Sequence, residues 1–265
     1  MTVWAARPLV EEAYRAILSE TDPDLARTAL EANLKLLDAL VELRPRDVEL
    51  KLYQVQAYTG YAMMFLEPGE LDRARRFYHR ASDLGFEELL LRVGGTSTPE
   101  LNWKEFQRLI VEFRSKDLGL IYWTAIAWAG WINLERDNPV AAAESPRPLA
   151  MMEWVIHRNA GYFYSGPLWF MGTYYASLPP LLGGDLERSR EFFESALKQD
   201  GNHFLWGRLL FAQTYAVQAL DRDLFETQLK LIIQGSVEEP PELKLLNRIA
   251  QIRARVLLNQ ADDIF

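Results

Sequence analysis

Two stretches of this chain, 115 residues apart, align without a gap: GELDRARRFYHRAS at 69–82 and GDLERSREFFESAL at 184–197. No other feature constrains the fold as much, because a duplicated segment means one supersecondary unit used more than once. Both copies read as amphipathic helices. A turn precedes each, Pro68-Gly69 in one and Pro179-Pro180 with Gly183-Gly184 in the other. Proline stops the incoming helix and glycine lets the chain reverse. Within each copy a small residue, a ring and a small residue recur at offsets 0, +4 and +7: Ala74, Tyr78, Ala81 and Ser189, Phe193, Ala196. That spacing places all three on one helix face, where small residues admit a neighbouring helix and the ring fills the gap.

The rest of the chain follows the same plan. Helical periodicity covers nearly all of it, and no run alternates long enough to make a strand. Expected helices run at about 8–20 and 24–43, then 47–66 and 70–84. The region 85–116 reads as an irregular insertion, with a loop at Gly94–Pro99, Thr98 as cap and Pro99 opening a helix to about Arg114. An uncharged helix at 118–134 leads to a Pro-rich connection (138–148) and a helix to about His157. Gly166-Pro167 opens the helix that Pro179 ends, and Asp185 caps the next. Helices at 202–220, 221–234 and 240–259 close the chain.

Small–aromatic–small triads of this kind belong to the second helix of a tetratricopeptide (TPR) hairpin, and Gly172 and Tyr175 match the Gly and Tyr positions of its first helix. Further triads are Ala32/Leu36/Ala39, and the degraded Ala150/Trp154/His157 and Leu224/Gln228/Leu231. Their third members are spaced by 42, 76, 39 and 35 residues, against a TPR period of about 34. The long gap holds one repeat plus the insertion. The expected fold class is therefore all-α: an α-solenoid of about four or five divergent TPR-like hairpins, one domain over 1–265. A C-terminal capping helix carries Lys244, Arg248, Arg253 and Arg255 on a wetted face.

Charge and composition remove several functions. A formal charge of −8 disfavours nucleic acid and anionic lipid, which want a basic surface. With no cysteine there is no disulfide framework, thiolate metal site or cysteine nucleophile. The first residues, MTVWAARPLVEEAYRAIL, lack the pattern of a secretory signal.

The helix at 118–134 has no charge in 17 residues and reads as a buried central helix rather than a membrane span. Trp128 and Trp131 project from one face of it, and Asn133 reads as a buried amide needing partners. Tyr162, Tyr164, Trp169, Tyr174 and Tyr175, with Tyr122, Trp123 and Trp131, form an aromatic cluster. Such rings make repeat core, or line a cavity for an apolar ligand. His79, His157 and His203 have no metal-ligand spacing, so no metal is expected. Gly94-Gly95 and Gly183-Gly184 lack phosphate-loop context, Ser165-Gly166 lacks the nucleophile-elbow frame, and no cofactor or catalytic constellation is indicated.

The residues Gly130-Trp131-Ile132-Asn133-Leu134, Gly166-Pro167 and the run Tyr174–Pro180 through Gly183-Gly184-Asp185 carry a resemblance, as do Phe193–Leu197 and the tail ADDIF. From about Glu49 onward the chain resembles the T-component of TRAP transporters. The resemblance implies a non-enzymatic, periplasmic, lipid-anchored α-solenoid that forms a homotrimer and docks the TRAP periplasmic solute-binding protein. It also implies a cavity for a small hydrophobic ligand, for which the candidates are Trp128, Trp131, Asn133, Tyr164, Trp169, Tyr174 and Tyr175. Family members carry a signal peptide ending in an acylated cysteine. This chain has neither, so membrane attachment is implied only through an anchor absent from it. The competing expectation is a generic TPR module that binds a different peptide or protein client.

Overall fold

A computed structural model describes residues 6–94, 101–200 and 203–265, and among them secondary structure is helical with no strand. Contacts cluster into two compact units, taken separately below. The first comprises Arg27–Arg158 with the N-terminal residues up to Tyr14; the second comprises Asn159–Phe265 with Arg15–Ala26.

The first helices are α1 (Ala6–Leu18), α2 (Pro23–Leu43), α3 (Val48–Tyr61, prolonged by a π-helical turn at Ala62–Leu66) and α4 (Leu71–Arg92). Asp47 caps α3 by accepting from the Leu50 amide at 3.3 Å. The expected end of α4 at residue 84 is corrected: the helix runs on to Arg92, so Gly85 lies inside it. The reason is a close approach. A methyl at Gly85 would meet the Thr124 hydroxyl at 2.0 Å, so the missing side chain is what lets α4 lie against α6 (Leu118–Leu134). The insertion is thereby shortened. Thr98 and Pro99 lie outside the described residues. The helix expected to follow them is only α5, Trp103–Ile110, and its cap is Asn102 in a reciprocal capping box with Glu105.

The uncharged helix is found where the sequence put it. In α6 the side chains from Leu120 to Ala125 are all buried, and it packs along α4 and also touches α3. No described helix is long and apolar enough to cross a membrane. The Pro-rich connection is not a loop. It forms α7 (Pro139–Glu144, capped by Asn138) and α8 (Pro146–Asn159), because prolines in a first turn lose no hydrogen bond the helix would otherwise make.

In the second unit α9 (Tyr162–Ser177) pairs with α10 (Leu186–Asp200). Asp185 caps α10 as expected, accepting from the Arg188 amide at 3.0 Å. There follow α11 (Leu205–Leu210, continued by a π-helical segment at Phe211–Ala216), α12 (Arg222–Gln234), α13 (Lys244–Asn259) and the short α14 (Ala261–Ile264). Asn202 lies outside the described residues. On α13 the exposed face carries Ile252 and Val256 beside Arg255, so the closing helix is less polar there than expected.

The aligned copies do the same job. Ala74, Tyr78 and Ala81 on α4 are buried, as are Ser189, Phe193 and Ala196 on α10. In both, the central ring lies on a glycine: a methyl at Gly130 would meet the Tyr78 ring at 2.8 Å, and one at Gly172 would meet the Phe193 ring at 2.8 Å. The source of that glycine differs, since Gly172 precedes its ring and Gly130 follows it in the chain. Two weaker triads are off register. Ala32, Leu36 and Ala39 are exposed, and α2 instead buries Ala26, Leu30, Leu34 and Leu37. Likewise Leu231 is exposed; of the expected triad only Gln228 is buried, and α12 buries Phe225, Leu229 and Ile232 beside it. Where a stripe of larger side chains competes with a stripe of small ones, the larger area removed from water sets the helix rotation.

Candidate functional site

The seven expected ligand residues fall three in the first unit and four in the second. In the first, Trp128 is sealed in the core between Phe86 and Phe106, at 5.1 and 6.4 Å between ring centroids, under the Arg147 guanidinium at 5.7 Å. One turn on, α6 emerges. Trp131 is half-buried and meets His79 edge-on at 4.9 Å. His79 Nδ1 lies 2.7 Å from Asp83; that hydrogen bond, with the Asp83 and Glu135 charges, raises the imidazole pKa above its ordinary value against the effect of burial. Asn133 is not the buried amide expected. Near the C-terminal end of α6 it is exposed, and its Oδ1 accepts from Arg136 Nε at 3.0 Å.

The same face of α4 contributes Arg76, His79, Arg80, Asp83, Leu84 and Glu87 to a shallow groove of about 400 Å³. Beneath it Arg80 reaches Asp38, a nearly buried carboxylate that also accepts from Lys35, Gln54 and Tyr58, all at 2.8–2.9 Å. Burial alone would raise the Asp38 pKa, but the donors outweigh it and hold the carboxyl below its usual range. A second depression, of about 630 Å³, is lined by Arg7 and residues 44–49. None of the seven expected residues lines either depression.

In the second unit the sequence Gly161–Pro167 produces an unusual local structure. Phe163, Tyr164 and Ser165 have φ of 45°, 55° and 60°, one left-handed turn made of three residues with side chains. Right-handed geometry begins at Gly166-Pro167, where the sequence placed the helix start. Left-handed residues cost about 1–2 kcal/mol each, so the turn needs compensating contacts. Tyr164 supplies several. Its hydroxyl donates to Glu242, its ring stacks on Phe204 (6.4 Å, 17°), and its carbonyl accepts from Trp169 Nε1 at 3.0 Å. Phe163 meets Phe204 edge-on at 5.8 Å.

Trp169 itself is core. It contacts Phe193 and Phe204, and a methyl at Gly207 would fall 2.3 Å from its ring. Tyr175 is also buried, stacked on Phe192 (5.8 Å, 10°) with the Arg188 guanidinium 4.3 Å from its ring centroid. Tyr174 and Tyr164 are half-buried. Within its own unit each expected residue is thus either sealed (Trp128, Trp169, Tyr175), exposed (Asn133) or at the margin (Trp131, Tyr164, Tyr174). The sequence reading missed Glu242 and Phe204 as partners of Tyr164 and Trp169, and Asp83 as the partner of His79. Only Asp83 had a local signal, four residues after His79 on one helix face.

Among the described residues no group of three or more His, Asp or Glu side chains could hold a metal ion. What the described helices present is packing surface, half-exposed rings and ion pairs. A family profile described as the TRAP transporter T-component matches residues 19–265, and the chain belongs to that family. It is thus a transporter component and not an enzyme. No curated protein matches the sequence.

Proposed function

We propose that this chain is a TPR-like α-solenoid scaffold, acting as one domain over 1–265, that docks the periplasmic solute-binding protein of a TRAP transporter. On this reading it works in the periplasm, held there by a lipid anchor on its precursor, and assembles as a homotrimer. The observation that carries the proposal is the family match over residues 19–265, supported by the two ring-on-glycine helices built on the repeat triad. A small hydrophobic organic acid is the proposed ligand. Of the seven candidates the half-buried rings are the proposed contacts, Trp131 within the first unit and Tyr164 and Tyr174 within the second; Trp128, Trp169 and Tyr175 are packing inside their own units, and Asn133 is exposed. The strained turn under Tyr164 favours this choice, since costly backbone is retained where a side chain must be held in one place.

Native mass spectrometry of the purified chain, alone and with a TRAP solute-binding protein from the same organism, tests these claims together. The expected spectrum holds a trimer, a retained small molecule and a mixed complex. A monomer that ignores the solute-binding protein at micromolar concentration refutes the reading.

A further inference from the structure

The chain contains an internal standard for what a hairpin turn requires. Between the end of the α3 π-turn and the start of α4 there are four residues, Glu67-Pro68-Gly69-Glu70, closed by amides of Gly69 and Glu70 donating to the Leu66 carbonyl. Between α9 and α10, the corresponding place in the second copy, there are eight, Leu178–Asp185. The extra length carries two outward-facing leucines: Leu181 is 98 % exposed and Leu182 69 %, whereas Leu186 at the start of α10 has an exposed counterpart, Leu71, in the first copy. Pro179 and Pro180 are exposed beside them. Since four residues, two of them glutamates, suffice to reverse the chain in the first copy, the projecting leucines of the second are not explained by the turn.

Four amides of this tip are occupied within the chain. The amides of Leu182 and Gly184 donate to the Pro179 carbonyl (2.9 and 3.0 Å), that of Gly183 to Pro180 (3.1 Å) and that of Asp185 to Tyr175 (3.1 Å), while the two prolines have no N–H to satisfy. Gly183 sits at φ 93°, and a methyl at Gly184 would fall 1.8 Å from the Leu178 carbonyl oxygen, so both glycines are needed for this shape. A segment that keeps its donors satisfied internally can leave water at little polar cost. Preorganisation lowers the ordering cost of binding as well.

We propose that the Leu178–Leu186 tip is a docking knob that seats Leu181 and Leu182 in an apolar cleft of a protein partner. The proposal rests on the reading above, which makes that partner the TRAP solute-binding protein. A protein cleft is favoured over an anionic membrane because the chain carries a net charge of −8 and no basic residue lies between Leu178 and Glu187, the first being Arg188.

The test is calorimetric titration of a TRAP solute-binding protein from the same organism into the wild-type chain, the double variant Leu181→Asp/Leu182→Asp, and a control, Leu36→Asp, that alters an exposed leucine on α2. Circular dichroism melting should be unchanged in all three, as each site is open to solvent. The double variant is expected to bind at least about 100-fold more weakly, the scale of two leucines left unburied, and the control within about threefold. If the wild type does not bind, the partner assignment fails and this inference falls with it. If wild type and double variant bind alike, this inference alone is overturned. It is equally overturned if the double substitution spares that binding but abolishes self-association in light scattering, or abolishes flotation with phosphatidylglycerol vesicles.

Discussion

Replacing Gly172 by alanine probes the packing that the two copies share. Its methyl would lie 2.8–2.9 Å from three carbons of the Phe193 ring, well inside ordinary contact. The ring has nowhere to go: it is fully buried, stacked on Phe211 at 4.6 Å and bounded by Trp169 at 6.0 Å and Tyr215 at 6.5 Å. Overpacking costs about 1–3 kcal/mol, here toward the upper figure because the neighbours are rings that cannot flex. Alanine in mid-helix gains about 1 kcal/mol over glycine. The net expectation is a loss of about 2 kcal/mol, or a fall in Tm of about 4–8 °C. Gly60 in α3 supplies the contrast, since a methyl there meets only Met64 Cε at 3.6 Å. Gly60→Ala should stabilise by about 0.5–1 kcal/mol. Urea denaturation followed by tryptophan fluorescence measures both. Gly172→Ala at or above wild-type stability would refute the claim that ring and backbone are in enforced contact. A double variant with Phe193→Leu, which makes room for the methyl, should recover part of the loss and show coupling in a mutant cycle.

Three further outcomes follow from the structure. Ser165→Gly, at φ 60° in the left-handed turn, should raise stability by about 1 kcal/mol although it deletes a buried side chain; a lower Tm would argue against left-handed geometry at this position. Asp38→Asn should cost about 1–3 kcal/mol at neutral pH, leaving Lys35 and Arg80 without their carboxylate. Because the folded pKa of Asp38 is lowered, its contribution is present above the unfolded value of about 3.9 and lost as pH falls through the folded one, so the variant's Tm should be less sensitive to acid than the wild type's. His79 titrates in the opposite sense: its raised folded pKa gives a contribution fully present below about pH 6.5 and lost as pH rises through the folded value. An NMR titration should place the His79 midpoint above 6.5, and Asp83→Asn should return it toward that value.

Helix existence was legible because periodicity is a local property. The all-α class, the uncharged helix at Leu118–Leu134 and the Asp185 cap follow from residues within a few positions of each other. What was not legible was decided at a distance. Nothing near Gly85 says that α4 continues through it; Thr124, on a helix beginning more than thirty residues later, does. The triads failed where size competed with smallness, as on α2, since a marker of small residues does not weigh the leucine stripe beside it. Among the candidate site residues, type and spacing identified the aromatic helices but not the depth of each ring. Trp128 and Trp131 are three residues apart and chemically alike. Yet one is walled in by Phe86, Phe106 and Arg147 and the other stands at the margin against His79, because α6 leaves its neighbours between them.

The comparison of the two copies separates what this chain needs to fold from what it carries besides. Both retain the buried triad and the glycine under the ring, and these differ little because close packing tolerates little change. They part at their connections. The first copy turns in four residues with its charged side chains used locally: Glu70 pairs with Arg27 and with Arg73. The second enters through a left-handed turn fastened to Glu242 and Phe204, and leaves through an eight-residue apolar tip. Strained backbone and exposed leucines are both unfavourable for an isolated chain. The left-handed turn and the exposed Leu181 and Leu182 lie at the two ends of one helix, and the other copy makes its hairpin without either, its exposed Leu71 corresponding only to Leu186. Loops carried on a rigid frame are where binding is built, so α9 with its two ends is the part of this molecule where recognition should be sought first.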